Sequence, residues 1–128
     1  MKILLDTCTF LWIITDDPKL SRQARKLFID QENEVYLSVA STWEIAIKYK
    51  RGKLSLPKPP EKYIPTQRKQ HHIDSLPLDE EATLYLTKLP DLHKDPFDRI
   101  LICQSIVSGL IILTPDELIS QYPRRSIW

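Results

Sequence analysis

Cysteine is scarce in this chain of 128 residues, which contains Cys8 and Cys103 and no other cysteine. Two cysteines without a CxxC spacing cannot form a disulfide scaffold, and we expect both to be reduced thiols in a cytoplasmic protein. The three histidines lack metal-ligand spacing with either cysteine, which argues against a zinc site. Because 42% of the residues are hydrophobic, a core can form without disulfides, and we expect a single domain over residues 1–128.

Long apolar runs are absent as well. The longest run, residues 100–113, is interrupted by polar side chains and is shorter than a bilayer span, so no membrane segment is predicted. The N-terminal residues Met1–Leu5 resemble the start of a signal peptide, but Asp6 interrupts the run and no small-residue cleavage site follows. The expected location is therefore the cytoplasm.

The chain also lacks an excess of charge of either sign, since its formal net charge is +1. This balance hides an asymmetry between two parts of the sequence. The segment Lys48–His72 contains eight Lys and Arg against one Glu, whereas the remainder contains ten basic and sixteen acidic residues. A concentrated basic surface attracts phosphate backbones, although a solvated helix-loop-helix face would explain the segment equally well.

Apolar runs alternate with helical patterns along the chain. Strands are predicted at Lys2–Leu5, Val35–Ser38 and Leu110–Leu113. Helices are predicted from Leu20 to about Gln31, and over Ala40–Lys50, Glu80–Lys88, Pro96–Gly109 and Glu117–Gln121. A proline-rich excursion follows Leu56, where Pro65 weakens a helix over Glu61–Gln70. Strands separated by helices indicate an α/β fold, with a parallel sheet covered by helices on both faces.

Acidic residues stand where the predicted strands end. Asp6 and Asp116 follow the first and last strands, and Glu44 is on the helix after the second strand. Asp98 falls in the first turn of the helix that begins at Pro96. Ligands of such sheets bind beyond the carboxyl ends of the strands, and right-handed connections bring the helix starts to the same edge. We therefore expect the four carboxylates to converge.

Each carboxylate also has a structural explanation. Asp6 could simply end a strand, Asp98 could stabilise a helix dipole, and Asp116 could cap a short helix. Asp95 suits the N-cap before Pro96, which would leave Asp98 free for another role. Glu44 stands among apolar residues, where an unpaired carboxylate is costly, and this favours a ligand role.

Clustered carboxylates repel one another unless they are protonated or bind a cation. Oxygen ligands without His or Cys favour Mg²⁺ or Mn²⁺. Such ions lower the pKa of a bound water and stabilise the charge that develops on a phosphoryl group. The chemistry indicated is hydrolysis of a phosphodiester.

The acidic residues belong to four of five short motifs that occur in order along nearly the whole chain. The motifs are Leu4-Leu5-Asp6-Thr7, Ser41-Thr42-Trp43-Glu44-Ile45-Ala46-Ile47-Lys48, Gly52-Lys53-Leu54, Asp95-Pro96-Phe97-Asp98-Arg99 and Leu113-Thr114-Pro115-Asp116. A single Asp after a strand is commonplace, but the ordered set is specific. It resembles the PIN domain family, and within it the VapC-type toxins of toxin–antitoxin pairs.

The resemblance implies a three-layer α/β/α sandwich with a central, mostly parallel sheet. It also implies an endoribonuclease that depends on Mg²⁺ or Mn²⁺, a homodimer, and a cognate antitoxin that blocks the site. The family's catalytic and metal-binding acids correspond to Asp6, Glu44, Asp98 and Asp116, and Thr114 supplies a supporting hydroxyl. Cys8 departs from the His that is frequent in relatives, so its role stays open.

Several assignments remain open from the sequence alone. Lys48, Lys50, Arg51, Lys53 and Arg99 are candidate RNA contacts, although Arg99 could instead pair with a nearby acid. Tyr122, Arg124 and Arg125 could face RNA or a protein partner. Trp12, Trp43 and Trp128 are expected in core or dimer packing rather than in base stacking. The alternative to an enzyme is a catalytically silent PIN-like module that binds RNA or protein, but such a module would normally have lost an acid.

Overall fold

The sheet at the centre of the molecule is parallel. The computed structural model describes residues 1–122 and 126–128. Its strands are β1 (Lys2–Leu5), β2 (Glu34–Ser38), β3 (Asp74–Leu76), β4 (Ile111–Leu113) and β5 (Ser126–Ile127). They lie in the order β3-β2-β1-β4-β5, and each neighbouring pair is parallel. The first strand is therefore central, as its nearly complete burial requires.

Alternate residues of the strands build two separate cores. Ile3 and Leu5 point into one apolar cluster, together with Phe10 and Val35. Leu4, between them in sequence, points into a second cluster on the opposite face. This alternation follows from the period of two in a strand, and it produces three layers with the sheet in the middle. The predicted α/β/α sandwich is confirmed.

Helices cover both faces of the sheet. Their bounds are α1 (Thr7–Ile14), α2 (Arg22–Ile29), α3 (Val39–Lys50), α4 (Pro60–Gln70), α5 (Glu80–Leu84), α6 (Pro96–Ser108) and α7 (Glu117–Ser120), with a 3₁₀ helix at Tyr85–Lys88. The cluster that contains Ile3 packs against α1, α2 and α4, and the other cluster packs mainly against α6. None of the helices within the described ranges has the length and apolar character needed to cross a membrane.

The structure corrects the sequence-based elements at four places, one of which is the two-residue strand β5, absent from the prediction. Helix α1 is not predicted from the sequence, because Thr7–Ile14 is rich in residues that favour strands; burial of Phe10 and Ile13 overrides that preference. Helix α4 forms despite Pro65, and its buried Ile64 joins the core. The short edge strand β3 is also absent from the prediction, since Asp74–Leu76 shows no apolar alternation.

The predicted helix boundaries hold elsewhere to within a few residues. Helix α2 ends at Ile29 rather than near Gln31, because Asp30 has an extended backbone. The predicted helix over Glu80–Lys88 is divided into α5 and the 3₁₀ turn. Gly109 ends α6 in the left-handed conformation, with φ of 69°, which is accessible to glycine at little cost.

The residues near the C-terminus include three with assignments left open by the sequence. Tyr122 is 3% exposed and its hydroxyl binds backbone groups, so it does not face RNA or a partner. Arg124 and Arg125 lie outside the described residues. Trp128 packs against Trp12, with 5.6 Å between ring centroids, as expected for core packing.

Candidate active site

Asp6 lies where β1 ends, and three neighbours bind its carboxylate. One oxygen, Oδ1, accepts the backbone N–H of Thr9 at 2.8 Å and thereby caps α1. The other, Oδ2, accepts the hydroxyl of Thr114 at 2.5 Å. The Cys8 thiol also points at this carboxylate, with Sγ 3.3 Å from Oδ1. Because Asp6 is only 4% exposed, these contacts fix a charged oxygen pair at the centre of the sheet edge.

Glu44 lies in the second turn of α3, and it is also buried. Its Oε1 accepts the Thr7 hydroxyl at 2.7 Å, and its Oε2 lies 2.6 Å from Nζ of Lys48, one helical turn further on. The sequence indicated that an unpaired carboxylate here would be costly. The ion pair with Lys48 offsets part of the free-energy cost of burying this carboxylate.

Asp98 and Asp116 share one histidine. Nε2 of His93 lies 3.0 Å from Oδ2 of Asp98 and 3.1 Å from Oδ2 of Asp116. Asp98 stands in the first turn of α6, whose N-cap is Asp95, as predicted. Asp116 caps α7 through Oδ1, so its cap role and its contact with His93 use different oxygens.

Thr114 links the pair Asp6 and Glu44 to the pair Asp98 and Asp116. Its hydroxyl donates to Asp6 and accepts the backbone N–H of Asp116 at 3.0 Å. The residue is buried at the end of β4, which lies beside β1 in the sheet. The side chain predicted as a supporting hydroxyl therefore connects acids that are 110 residues apart in sequence.

The four predicted acids line one cavity of about 360 Å³. The lining also includes Thr7, Cys8, Leu11, Ile45, Lys48, Lys53, Leu54 and Asp95. An adjoining cavity of about 220 Å³ is bordered by Glu44, Lys48, Arg51 and Lys53 among others. Carboxylates at the bottom and cations along one side give this region the charge distribution expected of a site that handles phosphate.

The predicted basic residues do not form one surface. Lys48 and Lys53 border the acidic cavity and Arg51 borders the adjoining one, whereas Lys50 lines a different groove between α3 and α4. Arg99 pairs with Asp91, with 3.2 Å between Nη2 and Oδ1, and it also donates to the carbonyls of Pro90 and His93; its side chain is 15% exposed. The structure thus favours the pairing alternative for Arg99 over a contact with RNA.

Burial and neighbouring negative charge raise the pKa of two groups in the cavity. Burial, followed by the charge of Asp95, raises the pKa of Asp98 from 3.8 to about 7, while His93 opposes the rise. Burial and the charge of Asp6 raise the pKa of the Cys8 thiol to about 12. Cys8 is therefore a neutral thiol that donates to Asp6 at neutral pH.

A divalent cation fits this donor set. The acids Asp6, Glu44, Asp98 and Asp116 offer hard oxygen ligands, and a cation would offset the burial and the neighbouring negative charge that raise the pKa of Asp98. His93, Asp98 and Asp116 also bring one potential ligand atom each within 4.8 Å of the others.

His93 is the site residue that the sequence interpretation missed. Its spacing to Cys8 and Cys103 argues against zinc, but this histidine acts with carboxylates instead. Its position two residues before Asp95 and five before Asp98 is the sequence feature that could have indicated a role in the site. Its contact with Asp116, which is 23 residues away, depends on the fold.

Comparisons with known proteins identify the family of this chain. The sequence profile of the PIN domain matches residues 3–125, and the chain belongs to the PIN domain family. It is 36% identical over 72 residues to "Ribonuclease VapC16" of Mycobacterium tuberculosis, a match that covers 53% of this chain and 51% of the relative. The match thus spans about half the length of that curated relative.

Solved structures share the fold over almost the full chain. The VapBC2 complex of Rickettsia felis, bound to a DNA fragment from its promoter, contains a chain with a TM-score of 0.73 at 13% identity. The alignment covers 99% of this chain and 98% of that one. A DNA-bound VapBC of Salmonella typhimurium gives 0.68 at 18% identity, covering 99% and 97%.

Proposed function

We propose that this protein is an endoribonuclease that depends on Mg²⁺ or Mn²⁺ and acts as the toxin of a toxin–antitoxin pair. The observation that carries the proposal is the cavity lined by Asp6, Glu44, Asp98 and Asp116, which come from four separate segments. A silent binding module would have no need of four convergent acids, whose mutual repulsion destabilises the fold. The relatives supply the toxin and ribonuclease parts of the proposal.

In the proposed reaction, Asp6, Glu44, Asp98 and Asp116 would hold the cation. A cation bound there would supply an activated water at neutral pH and would stabilise negative charge on the phosphoryl group. Thr114 and Thr7 keep Asp6 and Glu44 in place by donating to them. Lys48 already neutralises one oxygen of Glu44, which lowers the charge that a single divalent ion must balance.

Arg51 and Lys53 are proposed to bind the RNA backbone beside the cleaved bond. Both are exposed and both border the cavity beside Glu44. Phosphate contacts of this type position a strand without reading its bases.

The test uses the purified full chain with a labelled single-stranded RNA. We expect cleavage with Mg²⁺ or Mn²⁺, none with a chelator, and none from Asp6→Asn with either ion. Asp79→Asn is the matched control, because Asp79 caps α5 through the same kind of contact that Asp6 makes with α1. Unchanged cleavage by Asp6→Asn would refute the nuclease, and metal-independent binding without cleavage would favour the silent module.

The proposal includes two protein partners, a cognate antitoxin and a second copy of the chain. The relatives in the Rickettsia and Salmonella structures were solved as VapBC complexes. In this chain Trp43 is 61% exposed and meets Phe97 edge to face, at 5.2 Å between centroids, which is compatible with dimer packing but not with a core position. Light scattering of the purified protein tests the dimer. Co-purification with the product of the adjacent reading frame tests the antitoxin.

A further inference from the structure

We propose that His93 is a positioning residue of the acidic cluster, whose Nε2 holds Asp116 through a hydrogen bond and Asp98 through a close electrostatic contact. This inference rests on the proposed function, because it concerns the carboxylates that would hold the cation. Nε2 of His93 is within hydrogen-bond distance of both carboxylates, at 3.0 and 3.1 Å. The two acids come from different elements, α6 and the N-cap of α7, so nothing local in sequence sets their separation.

The hydrogen bonds of His93 identify it as a donor rather than a metal ligand. Its Nδ1 lies 3.2 Å from the backbone nitrogen of Asp95, and that backbone N–H can only donate. An imidazole nitrogen that accepts a hydrogen bond carries no proton, so the neutral ring has its proton on Nε2. A protonated Nε2 has no lone pair for a cation, and it faces two carboxylate oxygens.

The backbone of His93 is itself fixed from two sides. The Tyr122 hydroxyl accepts the N–H of His93 at 2.8 Å and that of Leu92 at 3.1 Å, and it donates to the Pro90 carbonyl at 2.8 Å. The guanidinium of Arg99 donates to the His93 carbonyl at 3.1 Å. A buried tyrosine and an arginine that directly follows Asp98 therefore hold an irregular loop at the acidic cluster.

This arrangement has a physical consequence for cation binding. Two half-buried carboxylates repel each other and would separate without a donor between them. The Nε2 of His93, hydrogen-bonded to Asp116 and in close electrostatic contact with Asp98, fixes both oxygens before a cation arrives, and such outer-shell contacts typically change metal affinity or activity by about 10- to 100-fold when they are removed. Because each carboxylate oxygen has two lone pairs, the same contact leaves lone pairs on both acids available to a cation.

The test compares His93→Leu, which removes the donor, with His93→Gln, whose amide N–H can reach the same oxygens. Mn²⁺ binding to each full-length variant is measured by electron paramagnetic resonance, beside RNA cleavage as a function of Mn²⁺ concentration. We expect His93→Leu to bind Mn²⁺ about 10- to 100-fold more weakly, with cleavage recovering at high Mn²⁺, and His93→Gln to lie close to wild type. His72→Gln, at an exposed histidine, is the control.

A second variant keeps the inference testable if His93→Leu unfolds. Tyr122→Phe removes the hydroxyl that fixes the loop, and it should weaken Mn²⁺ binding in the same direction by a smaller factor. Wild-type Mn²⁺ affinity in a folded His93→Leu would overturn the inference, as would loss of the Nε2 proton on addition of Mg²⁺ in histidine ¹⁵N spectra. Absence of Mn²⁺ binding and cleavage by the wild type would instead refute the proposed function.

Discussion

The two halves of the acidic cluster are built differently. Asp6 is a buried residue, the side chain of Glu44 is 8% exposed, and together they are bound by hydroxyls, by a backbone N–H and by Lys48. Asp98 and Asp116 have side chains 20% and 32% exposed, and both rely on His93. The first half is therefore part of the core of the fold. The second half is held by one side chain from an irregular loop, and its charge is less well balanced.

The largest difference between the halves should appear when Asp6 is replaced by Ala. Removal of a direct cation ligand should lower cleavage beyond the ~10- to 100-fold typical of outer-shell changes. Loss of the α1 cap should also lower the free energy of unfolding by about 1–2 kcal/mol. RNA cleavage and urea unfolding measure the two effects.

Two controls separate the effects of that substitution. Asp6→Asn keeps a side chain that caps helices well, so it should lose cleavage while retaining most of the stability. Asp79→Ala removes a comparable cap on α5 and should lower stability alone. Wild-type stability in Asp6→Ala would show that the first half is not part of the structural core.

Asp98→Asn should have the opposite effect on stability. The pKa of Asp98 is about 7 in the metal-free folded protein and 3.8 as the ordinary value, so the folded state binds this proton more tightly. The contribution of this proton to the free energy of unfolding is fully present below about pH 4. It is lost as pH rises toward 7, at a rate of at most about 1.4 kcal/mol per pH unit. Asp98→Asn should abolish this decline and raise the melting temperature at pH 8 without metal.

The pH dependence also provides its own control. Mg²⁺ should flatten the wild-type curve by compensating the charge of Asp98, and it should have little effect on Asp98→Asn. An equally steep decline in the variant would assign the pH dependence to other groups in the cluster.

Thr114→Val should weaken both halves together, because its hydroxyl binds Asp6 and the backbone of Asp116. Loss of the hydroxyl leaves buried partners unsatisfied, at a cost of about 1–3 kcal/mol. Metal affinity should fall by about 10- to 100-fold, as for other outer-shell contacts. Thr114→Ser should restore most of both properties in Mn²⁺ titrations and urea unfolding, and failure of Ser to do so would argue against the hydroxyl as the cause.

The smallest expected effect concerns the cations, which border the Glu44 half. Arg51→Glu with Lys53→Glu should weaken RNA binding and flatten its salt dependence, by about 0.7 in the log–log slope for each phosphate that is no longer neutralised. Lys50→Glu is the matched control, since Lys50 lines the groove between α3 and α4. RNA binding is measured at several salt concentrations, with every charge variant made in the Asp6→Asn protein so that the RNA is not cleaved. Equal slopes for all variants would exclude Arg51 and Lys53 as contacts of the RNA backbone.

Much of the fold could be predicted because local patterns and tertiary packing agree there. β1, β2 and the long helices α3 and α6 have apolar patterns and caps that match their positions. Helix α1 and strand β3 could not be predicted, since a helix made of strand-favouring residues and a three-residue edge strand depend on their neighbours.

The sequence by itself determined which carboxylates meet. Strand ends of a parallel sheet lie at one edge, so Asp6, Glu44, Asp98 and Asp116 had to converge once the order of strands and helices was clear. Caps at Asp95 and Asp116 followed from local chemistry as well. Only the tertiary structure decided which partners balance the negative charges of the acids. Contacts such as His93 with Asp116 join distant segments, and their distances depend on how the layers pack rather than on any local pattern.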